Sequence, residues 1–403
     1  MISRTVNLYK NAYSGLTNKI WLLSIVMLIN RCGTMVLAFM TLYCNHLGFT
    51  VKQGGLVVAI YGIGAAVGAI MGGKISDRFG FYYTQFTALL AGGIMFIVLG
   101  QMTTYLSICI CTFFLSLINE SFRPANATAI AHYSSVENRT QSYSLARLAV
   151  NLGWGIGSAL GGFLASINYQ LLFWVDGLTN IAASFMLLVI LPKVSKLQQL
   201  NIPATEAIPS KSRSPYRDKK FLYFLGFHLF FAVCFFQMFT NMPLFFKAGL
   251  HLSEFDIGVI MAANGIIIAL FEMVLVYKLE GRRSYLTLIC YGSILMGISF
   301  LCLNLPLANG FVIAAIAVFV ITIAEMVSMP FMNSFYIGRS SEGTRGDYAG
   351  MYTFTWSAAQ VIGSFAGAAF VYAFGFINLW FAVCVICMFA AAGFYWLKNN
   401  GGE

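Results

Sequence analysis

The chain has 403 residues, of which 59% are hydrophobic and 9% charged, against roughly 25% charged in a soluble domain. That balance excludes an ordinary water-facing surface, and apolar runs of about 20 residues recurring from end to end are the signal of membrane-spanning helices. Spanning strands would show ~10-residue alternating segments, which the sequence lacks, and the formal net charge of +10 is read as membrane topology, not nucleic-acid affinity.

The first apolar run starts near Ile20, after a polar tail carrying Arg4, Lys10 and Lys19. It is too long for the ~7–15-residue core of a signal peptide and lacks a small-residue cleavage site. Twelve spans are predicted, at 20–46, 53–74, 82–101, 104–132, 141–166, 170–192, 220–246, 255–279, 284–304, 307–337, 347–373 and 376–397. Between spans 6 and 7, residues 193–219 form a polar linker with Pro203, Pro209, Pro215 and most of the basic run KSRSPYRDKK. The predicted fold is an all-α membrane protein with six-helix bundles over 1–192 and 220–403. Arg31, Arg123 and Arg147 lie inside spans, and Lys52 and Lys247 at one set of loop ends. The other nineteen of the 24 Lys and Arg share the side of the two termini and the linker. The positive-inside rule puts that side in the cytoplasm.

The nine cysteines include Cys109-x-Cys111 and Cys384-x-x-Cys387. No histidine or second pair lies near either, so they read as buried, inert thiols and no metal site is expected.

Internal repeats support two related halves. A shift of 203 lays Gly55, Gly62 and Asp77 on Gly258, Gly265 and Glu280. A shift of 206 lays Pro124, Ser134, Ser135 and Arg139 on Pro330, Ser340, Ser341 and Arg345, and Gly157 and Gly161 on Gly363 and Gly367. Parallel six-helix repeats are an architecture of rocking transporters.

Between spans 2 and 3 the sequence reads GGKISDRFGFYYT, from Gly72 to Thr84. Gly73, Asp77, Arg78 and Gly80 match the signature G-x-x-x-D-R-x-G-R-K, so the chain resembles the major facilitator superfamily over essentially its whole length. A degenerate copy, Glu280-Gly281-Arg282-Arg283, stands at the matching place in the second half. The resemblance implies a latch: Gly73 would let span 2 approach span 11, and Asp77 would face the positive N-terminal end of span 11 near Asp347 and Tyr348. Phe81 and Tyr82 depart from the pattern by replacing two basic residues.

In span 5, Gly153, Gly157, Gly161 and Gly162 resemble the glycine-rich antiporter signature, with Ser158 in place of its proline. Packing of these small residues on span 8 is the structural alternative. With Asn30-Arg31-x-Gly33-Thr34 in span 1, the sequence is similar to the bacterial drug and dipeptide exporters of that family.

Ionisable residues inside spans are functional candidates because burying them in lipid is costly. Glu120 and Arg123 lie three apart on one face of span 4, beside Asn119 and Pro124. Arg31 is expected to reach the same cavity, because the resemblance implies that spans 1 and 4 line it. A carboxylate that alternately gains and loses an arginine partner can take up and release a proton, so Glu120 is the leading proton site. In the second half Glu325 aligns with Asn119 under the 206 shift, while Gln237 and Asn241 are polar anchors among the aromatic residues of span 7. Asp176 in span 6 reads as a structural hydrogen-bonding residue.

No G-x-x-x-x-G-K-[ST] loop is present in the sequence, so an ion or substrate gradient would drive transport. The expected function is proton-coupled antiport exporting small amphipathic compounds (drugs or short peptides) across the bacterial cytoplasmic membrane. Import of a peptide or sugar and lipid flipping are the alternatives. No catalysis and no cofactor are expected; substrate, protons and lipid are the partners, and the chain is expected to be a monomer.

Overall fold

A computed structural model describes residues 2–192 and 214–400; most of the expected linker, 193–213, lies outside them. Every described element is helical: α1 (Ile2–Tyr13), α2 (Asn18–Cys32), α3 (Val36–His46), α4 (Val51–Phe79), α5 (Phe81–Gly100), α6 (Tyr105–Glu120) and α7 (Phe122–Tyr133). They continue with α8 (Arg139–Ile167), α9 (Tyr169–Ile190), a 3-10 turn at Pro215–Arg217, α10 (Lys219–Ala248), α11 (Glu254–Leu279), α12 (Tyr285–Cys302), α13 (Gly310–Arg339) and α14 (Arg345–Asn400). Boundaries follow local chemistry. Thr50 and Ser253 close capping boxes at the starts of α4 and α11. Gly80 turns the chain from α4 into α5 with φ +94°, a conformation a side chain would strain.

Ten described helices are long and apolar enough to cross a membrane, or eleven if Asn7–Tyr13 and α2 count as one broken span. The difference from the twelve expected comes from span 1, which falls into two short helices, and from spans 11 and 12, which run together in α14. Span 1 is divided into α2, of 15 residues, and α3, of 11, neither of which crosses alone. Span 4 is interrupted at Ser121, which separates α6 from α7; Pro124, with no N–H, cannot donate to the Glu120 carbonyl. The 56 residues of α14 contain a non-helical Gly375, at φ 78° and ψ 170°, where the sequence reading divides spans 11 and 12. The supposed polar tail is also helical: α1 packs on α11, and Tyr9 Oη donates to the Leu270 carbonyl at 2.9 Å.

Packing groups the described residues into two units. Residues 16–192 with 340–357 form the first, and residues 2–15, 216–339 and 358–400 the second. In the first, α2 packs on α8 and α9, α4 on α6, and α5 on α9. In the second, α12 and α13 pack along their lengths, and Arg339 at the end of α13 holds Asp218, the N-cap of α10, through two bonds of 2.8 and 2.9 Å.

Candidate functional site

The first unit gathers the ionisable residues of spans 1, 2 and 4. Glu120, at the last position of α6, is buried, and both its oxygens are engaged. Oε1 accepts from Tyr61 Oη at 3.4 Å, and Oε2 pairs with Arg123 Nη1 at 3.2 Å. Arg31, in the last turn of α2, is governed first by its burial, and the charges that act on it most are those of Glu120 and then Arg123. Its buried Nε has no hydrogen-bond partner among the described residues. The interruption at Ser121 lies between Glu120 and Arg123, so their pairing joins the end of α6 to the start of α7. Tyr61 and Tyr352, which senses the charges of Arg123 and Arg147, escaped the sequence reading; lone tyrosines carry no charge pattern to single them out.

The second unit holds a related arrangement. Glu325 in α13 is buried and accepts from Asn264 Nδ2 at 2.9 Å, and the same amide donates to Thr322 at 2.9 Å. Under the 203 shift Asn264 occupies the place of Tyr61, so each unit sets a donor from its second helix against a carboxylate of its fourth. Gln237 and Asn241 are a correction to the cavity expected around them. Gln237 Nε2 donates to the Gly363 carbonyl at 2.9 Å, and Asn241 Nδ2 donates to Gln237 Oε1 at 2.6 Å. Both amides lie against the Gly363 and Gly367 face of α14, where a Cβ would collide with them. They stitch two helices instead of facing open space.

The glycine motif of α8 packs on span 1. A Cβ at Gly153 would reach Arg31 Cβ at 2.5 Å, one at Gly157 the Cys32 carbonyl oxygen at 2.9 Å, and one at Gly161 the Phe39 ring at 2.9 Å. These three, at four-residue spacing, face span 1 where it breaks, while Gly162 has nothing within 4 Å.

At the end of the bundle carrying GGKISDRFGFYYT, Asp77 Oδ1 accepts the Gly346 amide at 2.7 Å and Oδ2 the Asp347 amide at 2.8 Å. These are orphan donors at the start of α14, where an anion is favoured. Gly73 packs against the Gly346 carbonyl, and a Cβ there would also lie 3.2 Å from Gly350 Cα. Arg78 lies over the Phe79 ring at 5.3 Å. Phe81 and Tyr82, which replace basic residues, are buried; Phe81 packs on His132 and Tyr133 at 5.0 and 5.7 Å. Charge enters nearby from Glu342, which pairs with Arg345 and lies 3.8 Å from His132 Nδ1. Burial pushes the Glu342 carboxyl up, but the neighbouring His132 and the Arg345 charge outweigh it and hold the group below its ordinary value. The stabilisation is therefore present throughout the neutral range and lost only as pH falls through that lowered value.

Gly73→Val should force α4 off α14. Overpacking costs about 1–3 kcal/mol, which is about ten-fold or more in the equilibrium. Hydrogen exchange at the Gly346 and Asp347 amides should rise by that factor in the folded protein. Unchanged exchange would sink the close-approach reading.

Ten or eleven described apolar helices long enough to cross a membrane, with the buried carboxylates Glu120 and Glu325 inside two of them, make this a multi-pass membrane protein. The sequence matches the Major Facilitator Superfamily over residues 22–364, and the chain belongs to that family; it is a transporter and not an enzyme. Among relatives, the MFS-type transporter YttB of Bacillus subtilis (strain 168) is 23% identical over 388 residues, covering 92% of this chain and 93% of its own. Quinolone resistance protein NorA of Staphylococcus aureus is 22% identical over 337 residues, 83% of each chain. The human organic anion transporter MFSD10 (TETRAN) shares the fold with a TM-score of 0.71 at 14% identity, covering 94% of this chain and all of that one. A bacterial homologue of the iron transporter ferroportin, in an outward-facing state with soaked iron, also gives 0.71 at 14% identity, covering 96% and 100%.

Proposed function

We propose that this protein is a proton-coupled exporter of small amphipathic compounds, working by alternating access in a bacterial cytoplasmic membrane. The observation that carries this reading is Glu120: a buried carboxylate in the middle of a span, paired with Arg123, bonded by Tyr61 and acted on by Arg31. Such a group can hold a proton in one state and an arginine in the other. Glu325, bonded by Asn264, is the second candidate carrier. In this reading α2 and α3 make one broken span and α14 makes two across Gly375, giving twelve with both termini cytoplasmic. The Asp77 latch then closes the cytoplasmic side. The name Quinolone resistance protein among the relatives fits an amphipathic drug as cargo.

The test is purified protein in liposomes, with a fluorescent quinolone and a labelled dipeptide as probes and internal pH followed under an imposed gradient. Export by antiport predicts probe movement opposite to proton flow. Movement with the protons would make the protein an importer, and flux indifferent to the gradient would remove proton coupling.

A further inference from the structure

Span 1 is broken at residues 33–35, and both sides of the break are held by one neighbour, α9. Asp176 is fully buried; its Oδ2 accepts the Met35 and Val36 amides at 2.9 and 2.8 Å, and its Oδ1 the Met35 amide at 3.1 Å. These amides open α3. One turn along α9, Asn180 holds the other side: its Oδ1 accepts from Asn30 Nδ2 at 2.8 Å, and its Nδ2 donates to the carbonyls of Asp176 at 2.7 Å and Gly33 at 3.5 Å. Inside the break, Thr34 Oγ1 donates to the Arg31 carbonyl at 2.8 Å. No Cβ fits at Gly33, where it would overlap Thr179 Oγ1.

Arg31 sits at the edge of this construction. Its Cβ and carbonyl lie under Gly153 and Gly157, and its buried Nε has no partner among the described residues. Its main chain is thus held from two sides, by Thr34 inside the break and by the glycine face of α8. In the second unit the 206 shift places Gln237, Phe239 and Ala382 at the positions of Arg31, Gly33 and Asp176, and α10 runs unbroken from Lys219 to Ala248. The break, the acid that holds it and the arginine beside it thus occur together in one unit and are jointly missing from the other.

We infer that Asp176, with Asn180, is a positioning residue for transport: by holding span 1 open at 33–35, it fixes Arg31 where its charge acts on Glu120. Both carboxylate oxygens of Asp176 are filled by backbone amides, so it serves as a fixed acceptor at the start of α3. The inference rests on the reading of Glu120 as the proton site.

The test is infrared difference spectroscopy of the purified full-length protein, following the protonated-carboxyl band that disappears in Glu120→Gln. In Arg31→Gln the protonation transition should move to higher pH by about one unit, because a cation favouring the carboxylate is gone. Asp176→Asn should move it the same way, Asn180→Ala in part, and Arg31→Gln with Asp176→Asn no further than Arg31→Gln alone. A purely structural role would lower thermal stability and leave the transition in place. That result, or additive shifts in the double variant, overturns the inference. Should Asp176→Asn not fold, Asn180→Ala decides by the same criterion. A wild-type band that does not titrate overturns both this role and the proton-site reading. A titrating band without pH-driven liposome flux overturns only the proposed function.

Discussion

Glu120→Gln is expected to abolish pH-driven flux while leaving gradient-independent exchange of substrate in place. The amide keeps the size of the carboxyl and one acceptor oxygen, which can face Arg123 while its NH2 donates to Tyr61 Oη, so the packing of α6 need not change. What it loses is the ability to alternate between charged and neutral. Loss of a coupling group should reduce the driven component at least about a hundred-fold, as for a positioned proton donor or acceptor elsewhere, and flatten its pH dependence. Liposomes with and without an imposed pH gradient separate the two components. Driven flux that survives would move the proton site away from Glu120, and Glu325→Gln would be the next variant to measure. Loss of both components would show that the Glu120–Arg123 pair holds the helices together and carries no coupling.

The second large effect is on stability. Asp176→Leu removes the acceptor for the Met35 and Val36 amides inside a packed bundle, where neither water nor another helix turn replaces it. Leaving two buried amides unsatisfied costs about 1–3 kcal/mol each. The expected outcome is a sharply lowered unfolding midpoint in detergent, with early proteolysis within span 1. Asp176→Asn keeps one acceptor oxygen and should lose much less. Equal stability of the Leu variant and wild type would mean that the break at 33–35 does not depend on α9.

Much of the fold was legible in the sequence because lipid imposes a simple rule: an apolar run long enough to cross must satisfy its backbone internally. Span ends from 53 to 337 lie close to the helix ends observed, and the division expected between spans 11 and 12 falls at Gly375. Spans 1 and 4 differ, since hydropathy averages over the side chains while a break depends on where individual amides find acceptors. The signal in span 1 was present as Asn30-Arg31-x-Gly33-Thr34, and its partner as Asp176 and Asn180 one turn apart. Nothing in either segment alone says that they meet. The α1 helix was missed for a related reason: a short polar segment shows its helical character only when one face docks, as α1 does on α11.

The candidate site divides along the same line. Glu120 and Arg123 were readable as a pair because three-residue spacing on one helix fixes their distance in advance. Asp77 and Gly73 were readable through a family signature that already encodes a contact with span 11. Gln237 and Asn241 were misread because a polar residue in a span announces only that it needs a partner; its direction is set by Gly363 and Gly367, over a hundred residues away in sequence. By itself, the sequence determined the membrane class, from its long apolar runs, and the family, from the motif between spans 2 and 3. Only the tertiary structure decided which charges meet, which amides are already bonded and where span 1 breaks, because each depends on backbone and side-chain partners brought together from distant helices.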